Sequence, residues 1–492
     1  MNPRATVLGD RWPVLAGLGF AALLAAALAF EAYAVAAVPA VLAVIALGIW
    51  RMPVYMGLLL FAVPLSINLE QMEIGGLGLY LPTEPMLAGI LVLFLFRSFS
   101  GFPVDAALMR HPLSRWITAG LLWMGLTVLM SHLPLVSLKA WLVRIWFVVG
   151  FFWVLGHLIR HRQLSHRNVV LLYAIPLAIV VIYTLIRHAG YGFDKDSGHW
   201  VMTPFYKDHT SYGAVLALFV PPVFALLVSR GQTPISRALI AILFAILLIG
   251  LVLSYTRAAW ISLAGAAVLW LLMWLGLRLK TLLVLGVLLG TGLFLSKDAL
   301  LIQLQRNEQD SSDDLAEHVE SISNVSSDAS NLERLNRWQC AWALFLERPL
   351  QGWGPGTYQF VYAPFQRSTD RTIISTNQGD GGNAHSEYLG PLAEQGIPGL
   401  VFFLGLLGFT LHLGFRLQRI LPPGDDRNLA LALFLGLMTY FVHGVLNNYL
   451  DTDKASAPFW GFMAMMVVWD LAYSRQTARH AAPTHPVTAR IT

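Results

Sequence analysis

The chain has 492 residues, of which 56% are hydrophobic and only 12% are charged, and its mean hydropathy is +0.61. The charged share is about half the roughly 25% of a soluble domain, too little to cover a water-facing surface with polar groups. An ordinary soluble enzyme and a disordered chain are therefore excluded, and a single cysteine, Cys340, leaves no intramolecular disulfide and no cysteine-based zinc site. The net charge of +5 is no argument for nucleic acid, because in a membrane protein the side on which each charge sits matters more than the sum.

The fold class read from this pattern is an all-α polytopic membrane protein. A span needs about 20 mostly apolar residues. In chain order the candidates are 13–31, 33–50, 53–69, 84–98, 115–132, 138–158, 169–187, 210–229, 238–254, 258–276, 281–296, 388–415, 429–446 and 457–473. That is about 14 transmembrane helices, or 12–14 if the tight hairpins around Glu31 and Thr256 are miscounted. The first span reads as an anchor and not a removed signal peptide, since another span follows it and no small-residue cleavage site is present. Gly396 and Pro398 predict a break inside 388–415.

An even count puts both termini on one side. With the termini in the cytoplasm, 19 of the 33 basic residues and only five of the 28 acidic ones fall on that side, as the positive-inside rule requires. The organisation expected is eleven helices over 1–296, a large periplasmic loop over 297–384, three helices over 385–473 and a cytoplasmic tail over 474–492. Within the loop, Glu308 to Glu320 holds six acids and no base, a solvated acidic stretch whose spacing does not fit an EF-hand. From Asn331 to Leu346 the residues Leu332, Leu335, Trp338, Trp342 and Phe345 recur at helical intervals. They predict an amphipathic helix on the membrane surface or capping the bundle. Pro349 stops it, and Gly352-Trp353-Gly354-Pro355-Gly356 makes a turn.

Polar residues near spans are costly and mark candidate sites. Here they gather on the outer side. Arg257 follows Ser254-Tyr255-Thr256, and its guanidinium could fork onto a phosphate or simply sit at the interface. Lys207-Asp208-His209 opens the span at 210–229 and Arg187 closes the one before it. Arg144 lies about two turns into the span at 138–158, too deep for a casual surface charge. His385 lies in Gly381-Gly382-Asn383-Ala384-His385-Ser386-Glu387-Tyr388. Asn383 is its predicted N-cap, with His385, Tyr388, Leu389 and Leu392 on one helical face. A histidine there could act as general base on a sugar hydroxyl or serve as a structural hydrogen-bonding group. His443, inside a span, reads as structural. Asp451-Thr452-Asp453 has the form of a D-x-D metal signature, but it faces outward, away from nucleotide sugars. No metal or other cofactor is expected.

His385-Ser386, nine further residues and Gly396-Ile397-Pro398-Gly399 resemble the H-[NSQ]-x9-G-x-x-G signature of the O-antigen ligase family. Ser254-Tyr255-Thr256-Arg257 is similar to that family's serine/arginine segment. The Arg337-Trp338 helix, followed by Pro349-Leu350-Gln351-Gly352-Trp353-Gly354, resembles the stretch before the family histidine. The resemblance runs from about Thr203 to Leu411. The family's two threonines after the last glycine are Leu400-Val401 here, a departure towards its polymerase relatives. The resemblance implies a bacterial inner-membrane glycosyltransferase with its active site facing the periplasm. Its donor is a glycan on undecaprenyl pyrophosphate, and its acceptor is lipid A–core (ligase) or a lipid-linked glycan (polymerase). It implies His385 and Arg257 in catalysis, with Arg257, Lys207, Arg187 and Arg144 towards the donor pyrophosphate and His209, Asp208, Arg337 and Glu394 in support. Metal-independent, inverting transfer would follow. Membrane lipids are the remaining partners. A secondary transporter, with Arg144 and His443 along its path, is the rival reading.

Overall fold

The computed structural model describes residues 46–68, 80–99, 105–282, 284, 286, 288, 291, 329–367 and 382–481. The expected spans at 13–31, most of 33–50 and most of 281–296, and the acidic stretch from Glu308 to Glu320, lie outside them. The described residues are almost wholly helical. Helix α1 is Met52–Ala62, α2 Thr83–Phe99, α3 Pro112–Leu129, α4 Pro134–Arg160, α5 His166–Ala189, α6 His209–Leu227, α7 Pro234–Val252, α8 Arg257–Trp274, α9 Ala329–Glu347, α10 Leu389–Ile420, α11 Asp425–His443 and α12 Asp453–Ala481. The described residues include a two-stranded antiparallel pairing of Ile67 with Leu81 and Asn68 with Tyr80.

Among the described residues, seven helices are long and apolar enough to cross a membrane: α4, α5, α6, α7, α8, α10 and α12. Each coincides with an expected span. Helices α1, α2, α3 and α11 also occupy expected positions but are not among those seven. The helix starts follow local chemistry. Ser165, Asp208 and Thr233 each accept a backbone N–H of the following first turn, at Asn168, Ser211 and Ser236, which satisfies donors a helix leaves open. Helix α4 carries a π-helical stretch, Val148–Val154, packed against α12.

The core is formed by α6, α11 and α12, where Phe219, Phe434, Phe459 and Phe462 are fully buried. Outer faces carry exposed apolar side chains, for example Leu239 and Ile242 on α7 and Val268 on α8, as lipid-facing helices do. Two buried charges fasten the start of α12 to the segments around Ser66 and Thr83. Asp453 Oδ2 accepts from the Ser66 and Thr83 hydroxyls at 2.7 and 2.6 Å. Lys454 Nζ donates to the carbonyls of Val63 and Ser66 at 3.0 and 2.8 Å. The second aspartate of the D-x-D stretch is thus a tie between α12 and the first described segments.

Candidate functional site

The break in α10 falls at Gly396, as its sequence predicts. Gly396 has φ 68° and ψ −165°, in the left-handed region open to glycine. The chain from Pro349 to Tyr358 crosses α10 there. Ile397 N donates to Pro349 O at 2.8 Å, Gly354 N to Glu394 O at 2.8 Å and Trp353 N to Ala393 O at 3.1 Å. The Glu394 carboxylate accepts from the amides of Gly356 and Tyr358 at 2.9 and 3.0 Å. A Cβ on Gly396 would collide with the Leu350 carbonyl, and one on Gly352, at φ 66°, with the Glu394 backbone. The first glycine of the G-x-x-G stretch therefore has a structural reason: it lets the loop's turn dock by its backbone.

Helix α9 caps this turn with the face the hydropathy pattern does not favour. Its buried residues include Glu333, Asn336, Arg337, Cys340, Ala341 and Leu344, while Trp342 is 51% exposed. The polar face is buried because its groups are paired. Arg337 Nε meets Glu333 Oε1 at 2.5 Å, and its guanidinium lies 4.0 Å from the Tyr362 ring centroid.

His385 precedes α10 and does not belong to it. Its φ is 47°, and the helix begins at Leu389. The shared helical face expected with Tyr388, Leu389 and Leu392 is not formed. Asn383 instead turns the chain locally, its Oδ1 accepting from His385 N at 3.1 Å, and Ser386 Oγ accepts from the amides of Tyr388 and Leu389 at 3.2 and 3.3 Å. Trp338 Nε1 of α9 donates to the His385 carbonyl at 3.2 Å. Burial lowers the imidazole's pKa to about 4, helped by Arg334 and Arg337 nearby. The ring is neutral at neutral pH.

A cavity of about 290 Å³ brings His385 together with Lys207, Asp208, Tyr206, Tyr449 and Asp451. Asp208 is fixed by its capping role, accepting from Ser211 N at 2.8 Å and from the Thr210 hydroxyl at 2.6 Å; Thr210 also touches the Tyr449 hydroxyl. Burial, then Glu387, raises the Asp451 carboxyl to about 6, against the pull of Arg144 and Lys207. The other expected residues do not line it. Arg257 starts α8, and its neighbour Thr256 donates to His209 O at 2.8 Å, which sets the arginine segment against the start of α6. The His209 ring stacks on His199, 4.2 Å between centroids. Arg187 Nη1 holds the 201–203 loop, donating to the Tyr183 hydroxyl and Val201 O at 3.0 Å each. Arg144 lines a smaller cavity of about 90 Å³ with Glu387, Gln395 and Trp460. His443 pairs with Asn447 at 3.1 Å.

Residues 242–404 match the O-antigen ligase family. No curated protein matches the chain. The matched stretch takes in α8, α9, the Gly352 turn, His385 and the Gly396 break, whereas Lys207, Asp208 and Asp451 of the same cavity lie outside it. With seven apolar helices among the described residues, the chain is a multi-pass membrane protein that over this stretch is similar to the O-antigen ligase family.

Sequence reasoning passed over Glu387. Its Oε1 accepts three hydrogen bonds: from the Tyr440 hydroxyl at 2.6 Å, Tyr449 N at 2.8 Å and Leu450 N at 2.9 Å. Its own amide donates to Gly444 O at 2.8 Å. It clamps the His385 loop to the connection carrying Tyr449 and Asp451. The available signal was an acid two residues from the motif histidine, at the mouth of an apolar span.

Proposed function

We propose that the protein is an O-antigen ligase-like glycosyltransferase of the bacterial inner membrane. It transfers a glycan from undecaprenyl pyrophosphate to a hydroxyl of lipid A–core on the periplasmic side, without a metal and with inversion. The observation that carries this reading is the convergence of His385, Lys207 and Asp208 on one cavity at the edge of a bundle of apolar helices.

Breaking the donor's glycosidic bond leaves negative charge on a pyrophosphate. Cations aimed at that charge stabilise it as it develops. Lys207 in the cavity and Arg257 beside it take that role, and Arg187 acts through the loop before Lys207. Arg144, one cavity further in, completes the basic set, while His209, Asp208, Arg337 and Glu394 hold the surrounding chain. His385 receives the acceptor hydroxyl's proton as the oxygen attacks the sugar carbon in line. A base works best with a pKa near the operating pH. The bound pyrophosphate offsets Arg334 and Arg337, the cations that help depress the imidazole, and so raises its basicity when the donor is in place.

Leu400-Val401, in place of the two threonines, favours a second reading: a polymerase that moves the glycan onto another lipid-linked repeat. Deleting the gene and running the surface polysaccharide on a gel separates the two. Lipid A–core without chains, with lipid-linked polymer accumulating, is the ligase result; core bearing a single repeat is the polymerase result. Correctly inserted His385→Ala and Arg257→Ala variants that still build full surface polysaccharide would refute both.

A further inference from the structure

A second cavity, of about 410 Å³, opens between α1, α2 and the last turns of α4, lined by Trp50, Arg51, Arg97, Trp153, His157 and Gln163 among others. It lies at the other end of the bundle from His385. Helix α2 runs from Thr83, bonded to Asp453 beside the first cavity, to Arg97 in the second. Its 17 residues span roughly 25 Å at 1.5 Å per residue. Helix α1 likewise starts in the second cavity at Arg51 and leads towards Ser66, bonded to Lys454.

The charge in this cavity is one-sided. Two arginines line it and no carboxylate does, among the described residues. The nearby acid, Asp105, is engaged: Arg160 Nε reaches its Oδ2 at 2.5 Å, and its Oδ1 accepts from Ala107 N and Leu108 N. Met52 and Pro53, the first residues of α1, also line the cavity, so the helix dipole adds to the positive field. Arg97 spends one of its donors on the Ile49 carbonyl at 3.3 Å, which fixes the guanidinium at the rim.

Apolar surface continues from the cavity along both helices. Val54, Leu58 and Phe61 follow one face of α1, and Val92, Leu95 and Phe96 one face of α2; all six are exposed. Trp50, 78% exposed, stands at the rim, where amphipathic rings mark a membrane interface. A cationic slot for a head, with two apolar tracks leading away, fits an amphiphile and not a soluble anion. We propose that this cavity binds the headgroup of an acidic glycerophospholipid from the leaflet opposite His385, its phosphodiester held between Arg51 and Arg97 and its acyl chains along α1 and α2. Basic pockets between membrane helices take acidic lipid heads by this chemistry.

The test is thermal unfolding of the full-length protein in a zwitterionic or neutral detergent, with added phosphatidylglycerol, phosphatidylcholine or inorganic phosphate at matched ionic strength. Phosphatidylglycerol should raise the midpoint, and the other two should not. The double variant Arg51→Gln/Arg97→Gln should lose more than half of that rise. Arg115→Gln/Arg419→Gln, with two exposed arginines outside the cavity removed, should keep it. An equal rise with phosphatidylcholine, an equal rise with inorganic phosphate, or an undiminished rise in the double variant overturns the proposal. If the double variant does not fold, Arg97→Gln alone must lower the rise, and full retention there overturns it equally. None of these readings depends on glycan transfer.

Discussion

Gly396 of α10 and Leu350 of the loop turn occupy each other's only free space, since a Cβ on the glycine would meet the Leu350 carbonyl. The helix break and the docked turn are one feature. Gly396→Ala adds both that collision and a strained φ of 68°, so it should destabilise the protein by more than about 2 kcal/mol. The same holds for Gly352→Ala. Unfolding midpoints in detergent check this, with Gly408→Ala, which meets nothing within 4 Å, as the tolerated control.

Glu387→Ala removes the acceptor for three donors at once. Each charge-assisted bond contributes roughly 1.5–3 kcal/mol and orphaned donors cost more, so the variant should be destabilised by about 3 kcal/mol or beyond. Glu387→Gln keeps one oxygen of the same reach and should recover more than half of the loss. Denaturation of the three proteins side by side reads both effects; equal losses for Ala and Gln would count against the clamp.

His385 and Asp451 should bend the pH profile in opposite directions. The histidine's pKa is about 4 when folded, against an ordinary 6.5. Unfolded chains therefore bind its proton first, and its contribution to stability grows as pH rises from about 4 to 6.5. Asp451 is raised to about 6 from 3.8. The folded protein holds that proton more tightly, and stability falls as pH rises across 3.8 to 6. The two slopes oppose each other over most of this window. His385→Gln should make stability fall more steeply with rising pH there, and Asp451→Asn should make it rise more steeply. Midpoints measured every half unit from pH 4 to 7 distinguish the variants.

Lys207 and Arg187 should separate kinetically. Lys207 lines the cavity, and Lys207→Ala should raise the donor KM about tenfold, the loss of one charge-assisted contact. Arg187 is spent on the Tyr183 hydroxyl and loop carbonyls. Arg187→Ala should therefore lower the unfolding midpoint as well as activity. A KM effect from Arg187→Ala with an unchanged midpoint would reverse this assignment.

Hydropathy located the helices because lipid exposure writes itself into long apolar runs, and the α10 break was readable from Gly396 and Pro398. The local path at His385 was not. Asn383 is a good helix cap by type, yet here its side chain turns the chain one step early, a choice set by Trp338 reaching the His385 carbonyl from α9. The apolar side of α9 was legible, but the paired Glu333 and Arg337 that let the other side be buried depend on Tyr362. Glu387 was invisible for the same reason: all three of its donors come from residues more than 50 positions away.

The bond from Ser66 to Asp453 spans 387 residues, and the His385 cavity is walled by the early residues Asn68 and Tyr80 and by late ones such as Asn448, Tyr449, Asp451 and Ala455. Such a wall has no partial form. While the chain is being made, the early helices sit in the bilayer with an open seam, and the pocket closes only when α12 arrives. Under the proposed function, glycan transfer therefore waits until α12 has been made. A gene split between α8 and α9 should give activity only when both halves are expressed together.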